Sequence, residues 1–450
     1  MPSCLPSPPD RAAVTTAAAP PADDGGAALQ WSAAWIAAQQ AVEPDNALPP
    51  AWRQDFTLRQ IVRLRRGGTL WRLRFSNAFS DEALCLGAAH IAPADAGADA
   101  RADARIDART DAPVDAPVRA PVRAPVHAPG RAGVQAAQGR ALLFGGHAQV
   151  TIAAGDSVLS DPIGLPLAAG TDLVVSLWLP QVHASQTGHP GSRATSFVAP
   201  GLQVGATTLA AAAAITHWYW LSDVETLAPA GRPVLVAIGD SITDGRGSTT
   251  DGNDRWTDLL AERLACETHA PQMAVLNAGL GGNRLLHDGI GPSLRSRFAR
   301  DVLQRAGVTH ALLQIGINDL GTWREHGGHD AAAREAHLAA LKAAYAELAQ
   351  AARAQRIVLM AATVTPYVGH AGYLPDANDE AARQALNAWI RTAGVFAAVA
   401  DFDAALRDPA DPARVAERLH CGDHLHPSPA GLRALAEAVP LAALATSFAD

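Results

Sequence analysis

Lysine is almost missing from this sequence: of 36 basic residues only Lys342 is one, and the rest are arginine. Cysteine is scarce and scattered. Cys4, Cys85, Cys266 and Cys421 form no CxxC pair, which excludes a disulfide scaffold and a zinc ribbon. Aromatic residues make up only 5%. No apolar run approaches the roughly 18–20 residues of a membrane span. Positive charge is in deficit, with a formal net charge of −8, which argues against a general nucleic-acid binder. Met1 to Gly26 is rich in proline and alanine and lacks a basic start followed by an apolar core, so no signal peptide is read. That implies a cytoplasmic protein as written, and a secreted or periplasmic one if the start codon lies elsewhere.

What is present is enough apolar sequence, 48% over 450 residues, to fill substantial cores. Residues 1–28 read as a disordered leader. From 29 to 226 the pattern is short runs of period-two alternation between turn residues, as in Thr69–Phe75, Gln149–Ile152 and Asp172–Leu179. This predicts an antiparallel, β-sandwich-like domain. A tetrapeptide register interrupts it, with Asp at 95, 99, 103, 107, 111 and 115, then Arg119, Arg123, His127 and Arg131. Like charges four apart and the prolines from Pro113 onward disfavour a helix. Residues 93–133 therefore read as a solvated, disordered insertion.

After Gly231 the pattern changes. The apolar runs Val234–Ile238, Met273–Leu276, His310–Ile315 and Arg356–Ala361 alternate with helical stretches, the longest spanning about Ala331–Gln355. Such alternation predicts an α/β domain over 232–450, a parallel sheet with helices on both faces. Ligands of such sheets sit beyond the carboxyl ends of the strands.

Four segments fall at or after those ends. In Gly239-Asp240-Ser241-Ile242-Thr243-Asp244-Gly245 the serine sits on a turn from strand to helix, where it is either an exposed nucleophile or a helix N-cap. Asn277-Ala278-Gly279-Leu280-Gly281-Gly282-Asn283-Arg284 offers backbone N–H groups to a ligand, or is simply a tight turn. It lacks the GxGxxG spacing of a dinucleotide loop. In Gly316-Ile317-Asn318-Asp319 the asparagine amide can meet an oxyanion or close an Asx turn. In His420-Cys421-Gly422-Asp423-His424-Leu425-His426 one short loop can present Asp423 and His426 together, the imidazole as base and the carboxylate as its orienter. The competing reading of that loop is a metal site made from His420, Cys421, Asp423, His424 and His426. It is the weaker one, because neighbours in one short loop rarely converge on a single ion.

In chain order these segments resemble the SGNH, or GDSL-type, hydrolase superfamily over about residues 232–440. The resemblance implies a three-layer α/β/α fold, a Ser241–His426–Asp423 triad, and an oxyanion hole of Ser241, Gly282 and Asn318. It favours Gly282 over Gly281 because the glycine precedes a polar residue, and His426 over His424 by its Asp-x-x-His spacing. The strings Gly239–Trp256 and Asn277–Gly291, with Trp71–Phe79 and Leu143–Gly146, resemble a two-domain bacterial subgroup that includes xylan-associated esterases. The implied activity is hydrolysis of short acyl esters, acetyl foremost, on a small-molecule or polysaccharide substrate, without metal or cofactor. Lipid esters or thioesters, or an inactive carbohydrate-binding protein, are the alternatives. Asp240 and Asn283 beside the motifs, and Trp323 and Tyr367 in loops near strand ends, are candidates to touch substrate. Tyr373 is a further aromatic of this kind.

Overall fold

The computed structural model describes residues 28–95, 133–135, 138–267, 270–326 and 330–445. The expected leader, but for residue 28, and the expected insertion, but for its edges, lie outside them. Alternation builds the N-terminal part as expected. We label its longer strands β1 (Leu29–Ile36), β2 (Gln54–Arg63), β3 (Gly68–Ser76), β4 (Asp172–Gln181) and β5 (Leu221–Pro229). One antiparallel sheet runs β1-β5-β3 and continues to Ile163–Leu167. A second centres on β2 and β4, which pair antiparallel in unbroken register from Asp172↔Arg63 to Leu179↔Phe56. Trp71, Leu73 and Phe75 of β3 enter one core with Leu173, Val175 and Leu177 of β4. Arg72 between them turns outward to Glu225. β5 runs to Pro229, three residues beyond the expected edge of this region at 226.

The C-terminal part is a five-stranded parallel sheet of β6 (Val234–Gly239), β7 (Ala274–Gly279), β8 (His310–Gln314), β9 (Val358–Ala362) and β10 (Val399–Ala400), in the order β7-β6-β8-β9-β10. All its pairs are parallel. Every residue of β6 is buried, as a strand covered on both faces requires. The covering helices include α1 (Ser241–Asp244), α2 (Trp256–Cys266), α3 (Ile317–Gly321), α4 (Ala331–Ala354), α5 (Ala377–Thr392) and α6 (Pro429–Ala438). α2 packs on α6, and α4 on α5. Asp330 starts α4 by accepting the Ala333 N–H at 2.8 Å, a side-chain N-cap. No helix among the described residues is long and apolar enough to cross a membrane.

The strand order places the first strand, β6, between the second and third. The chain therefore leaves β6 and β8 in opposite directions, and the crevice at their carboxyl ends is the topological switch point where such sheets bind ligands. The two parts also interlock. Ala33, Ile36 and Ala38, on and after β1, belong to the core of the parallel-sheet part. Ala33 N–H donates to the Ala306 carbonyl at 2.9 Å.

The turn beyond β6 is wedged against the end of β7. A Cβ on Gly279 would lie 2.1 Å from the Asp244 backbone nitrogen. Neither backbone can yield without moving its strand. Gly279→Ala should therefore lower stability by about 2 kcal/mol or more, read as a drop in the urea midpoint at unchanged m-value.

Candidate active site

Each of the four motif segments arrives at this crevice from its own strand end or loop. Asp240, directly after β6, is the N-cap of α1 and accepts the Ile242 N–H at 3.0 Å. Ser241 is thereby the first residue of a helical turn, where its N–H has no intrahelical acceptor. Its Oγ lies 2.8 Å from His426 Nε2. On the other side of the ring, His426 Nδ1 lies 2.6 Å from Asp423 Oδ2. Asp423 Oδ1 meanwhile accepts the backbone N–H groups of Leu425 at 3.0 Å and His426 at 2.8 Å, which folds the loop back on itself. Ser241 and His426 are each only 7% exposed.

The carboxylate facing Nδ1 assigns the proton of the neutral ring to that nitrogen and leaves the Nε2 lone pair toward Ser241. Burial lowers the His426 pKa from its ordinary 6.5; Asp423 opposes this, and Arg246 and His370 add to it. Burial works to raise the Asp423 pKa, but the His426 ring and the two backbone N–H groups outweigh it and hold the carboxyl well below its usual range. The arrangement at neutral pH is an ionised Asp423 beside a neutral imidazole, competent to take a proton from Ser241.

The Gly282 and Asn318 segments close the crevice. Gly282 follows β7 with φ +66°, a left-handed conformation that favours glycine. Asn318 lies in the first turn of α3, beyond β8. One of its amide N–H bonds goes to the Asn283 carbonyl at 2.7 Å, and its Oδ1 accepts from the Tyr373 hydroxyl. Burial raises the Tyr373 pKa to about 12, so the hydroxyl keeps its proton and donates. These two bonds exclude a flipped amide and leave the second N–H of Nδ2 free for a ligand.

The four substrate-binding candidates are all buried. Trp323 is 3% exposed, donates its Nε1–H to Asp379 at 2.9 Å, and is flanked by the guanidinium groups of Arg324 and Arg334. Tyr367 is fully buried at 0%. Neither has a face to offer a sugar ring. Asp240 is buried too, held by Ile242 and by the Gln314 amide at 3.3 Å; burial pushes its pKa up to about 7. Asn283 is buried, and its carbonyl accepts an Asn318 amide N–H at 2.7 Å. Tyr373, a further aromatic candidate from sequence, donates its hydroxyl to Asn318 Oδ1.

The metal reading of the last loop fails on its proton inventory. Glu417, His420 and His424 bring ligand atoms within 4.8 Å of one another. His420 Nδ1, however, accepts the backbone N–H groups of Gly422 at 3.0 Å and His424 at 3.3 Å. The neutral ring must then carry its proton on Nε2, which faces Glu417 Oε2 at 3.3 Å and has no lone pair for an ion. Asp423 and His426 are already engaged with each other.

Residues 237–434 match the model of the GDSL-like Lipase/Acylhydrolase family. No curated protein matches the sequence. Among solved structures, the chain is similar to Axe2, an acetylxylan esterase from Geobacillus stearothermophilus. The identity is 21%, over 49% of this chain and 97% of that one, with a TM-score of 0.35. It is also similar to a GDSL-like lipase from Bacteroides thetaiotaomicron, at 16% identity over 47% of this chain and 88% of that one, with a TM-score of 0.35.

The electrostatics of the His426 ring yield a direct check. Its imidazole should titrate below 6.5 by NMR, the direction burial dictates. Asp423→Asn removes the one group that raises this pKa, so it should move the titration lower still. An unchanged or higher value would contradict the contact at Nδ1.

Proposed function

We propose that the protein is a serine esterase, acting through Ser241, His426 and Asp423, on short acyl esters of carbohydrate. The observation that carries the chemistry is the unbroken pair of hydrogen bonds from Ser241 Oγ through the His426 ring to Asp423. In this reading His426 Nε2 takes the serine proton as Oγ adds to the ester carbonyl. The negative charge that develops on the carbonyl oxygen meets the Ser241 N–H, the Gly282 N–H and the free N–H of Asn318. The imidazolium returns its proton to the leaving alcohol as the C–O bond breaks. Water then attacks the acyl-serine, again deprotonated by His426, and releases the acid.

The acetyl and carbohydrate part rests on the likeness of the motif strings to xylan-associated esterases. A second reading, longer acyl chains, is favoured by one observation. Ile290 is 56% exposed, and its Cδ1 would touch a Cβ placed on Gly282. Leu374, beside Tyr373, is 76% exposed. A large apolar side chain, Ile290, therefore stands open to solvent beside the Gly282 donor, a surface suited to an acyl chain.

Hydrolysis of p-nitrophenyl acetate, butyrate and octanoate, run beside acetylated xylan, tests both readings. Ser241→Ala should abolish turnover on every substrate the wild type cleaves; equal rates would sink the esterase reading. Acetyl preference with acetate release from xylan supports the first substrate class, and octanoate preference the second. Asn318→Ala should lower kcat by on the order of 10²- to 10³-fold, the loss of one oxyanion donor. Tyr373→Phe leaves the Asn318 oxygen without its donor and should cost about tenfold in kcat, the equivalent of roughly 1.4 kcal/mol. The acid limb of kcat/KM should fall below pH 6.5, since the base must be neutral and burial favours that form.

A further inference from the structure

The oxyanion donors come from three separate segments, and one buried side chain touches the supports of all three. Arg297 lies in the short helix Leu294–Phe298 and is almost wholly enclosed. A guanidinium has five N–H bonds in a rigid plane. Here each has an acceptor. Nε–H donates to Asn283 Oδ1 at 3.0 Å. Nη1 donates to the Ala278 carbonyl at 2.7 Å and to Asp301 Oδ2 at 3.0 Å. Nη2 donates to the Gly239 carbonyl at 2.8 Å and to Asn283 Oδ1 at 2.7 Å.

These acceptors have one thing in common. Gly239 ends β6, two residues before Ser241. Ala278 is the last residue but one of β7, ahead of the Gly282 loop. Asn283 follows Gly282 directly, and its carbonyl takes the fixed N–H of Asn318. The plane of one guanidinium thus sets the relative position of the Ser241 N–H, the Gly282 N–H and the Asn318 amide.

The Arg297 side chain is in turn anchored outside the parallel sheet. Asp301, wholly buried, takes Arg297, Arg300 at 2.8 Å and Arg305 at 3.0 Å. Burial alone would raise its pKa, but the three arginines overcome it and keep the carboxylate ionised. Arg305 then pairs with Asp223 of β5, in the N-terminal sheet, and Arg300 donates to the Gln39 carbonyl at 3.0 Å. Charges taken out of water in this number contribute little net stability compared with apolar packing; what they supply is a single geometry.

We propose that Arg297 is the positioning residue of the oxyanion hole, held in place by the N-terminal sheet through Asp223, Arg305 and Asp301. The proposal rests on the esterase reading above. It gives the N-terminal part a role in turnover that involves no contact with substrate.

The test uses the full chain and p-nitrophenyl acetate, with Ser241→Ala as the control. Arg297→Lys keeps the charge but cannot offer five in-plane donors. It should lower kcat by about 30-fold or more with KM within about threefold, because the lost interactions matter when the oxyanion forms. The rate of Ser241 labelling by a fluorophosphonate should fall in parallel, while the near-ultraviolet circular dichroism stays that of the wild type. Asp223→Asn retains an acceptor for Arg305 and removes the charge. It should lower kcat in the same direction, by about three- to tenfold, and it decides the matter if Arg297→Lys does not fold. Wild-type kcat in a folded Arg297→Lys or Asp223→Asn protein, with Ser241→Ala inactive, would overturn the proposal and leave the esterase reading standing. Equal activity of wild type and Ser241→Ala would instead strike the esterase reading.

Discussion

The site depends on how closely the backbone can approach itself where β6 ends. The chain leaves the strand at Gly239 and turns at once into α1, whose residues Thr243 and Asp244 press on Gly279 at the end of β7. On the other side, a Cβ on Gly239 would lie 2.2 Å from the Gln314 carbonyl at the end of β8. Gly239 and Gly279 leave room for the three strand ends to close up. That contact brings Ser241, the Gly282 loop and Asn318 into one crevice, and it requires glycine at two positions that do no chemistry. The Asp423–His426 loop then needs only to reach over this crevice, and its own carboxylate–N–H bonds hold it in the shape to do so.

Much of this was legible from sequence because it rests on local pattern. A buried parallel strand must be apolar throughout, so Val234–Ile238 and His310–Gln314 stand out, and the segments that follow them are marked by glycine and asparagine. Strand alternation located β3 and β4 within a residue or two, since one face is buried and the other is not. The spacing of Asp423 and His426 placed both in one loop, which is a property of the chain rather than of the fold.

What was not legible depends on which neighbour a side chain finds. Trp323 and Tyr367 read as possible sugar platforms, because an isolated aromatic in a loop gives no sign of which way it faces. The fold supplies Asp379, Arg324 and Arg334 around the first and buries the second outright. Tyr373 gives as little sign in sequence of its hydroxyl's bond to Asn318. Arg297 gave no signal at all, since an arginine in a short helix reads as a solvated surface residue. Its five N–H groups meet four acceptors from four places in the chain, and only the assembled structure brings them together.

The same reasoning bears on why the two parts of the chain are joined so intimately. A linked but independent β region would meet the parallel sheet across a surface of ordinary polarity. Here Ala33, Ile36 and Ala38 fill the other part's core, and His189 reaches Asp244, the last residue of Ser241's own helical turn, at 2.9 Å. Arg255 donates to the Asp244 carbonyl from below at 3.1 Å, and to the Ser192 carbonyl across the junction. Both ends of the serine turn are therefore fixed from the N-terminal side, one through Asp244 and one through Gly239 and the Arg297 chain. In the proposed esterase reading a catalytic hydroxyl and its oxyanion donors must keep their spacing to a fraction of an ångström, and supports anchored in a second sheet serve that requirement.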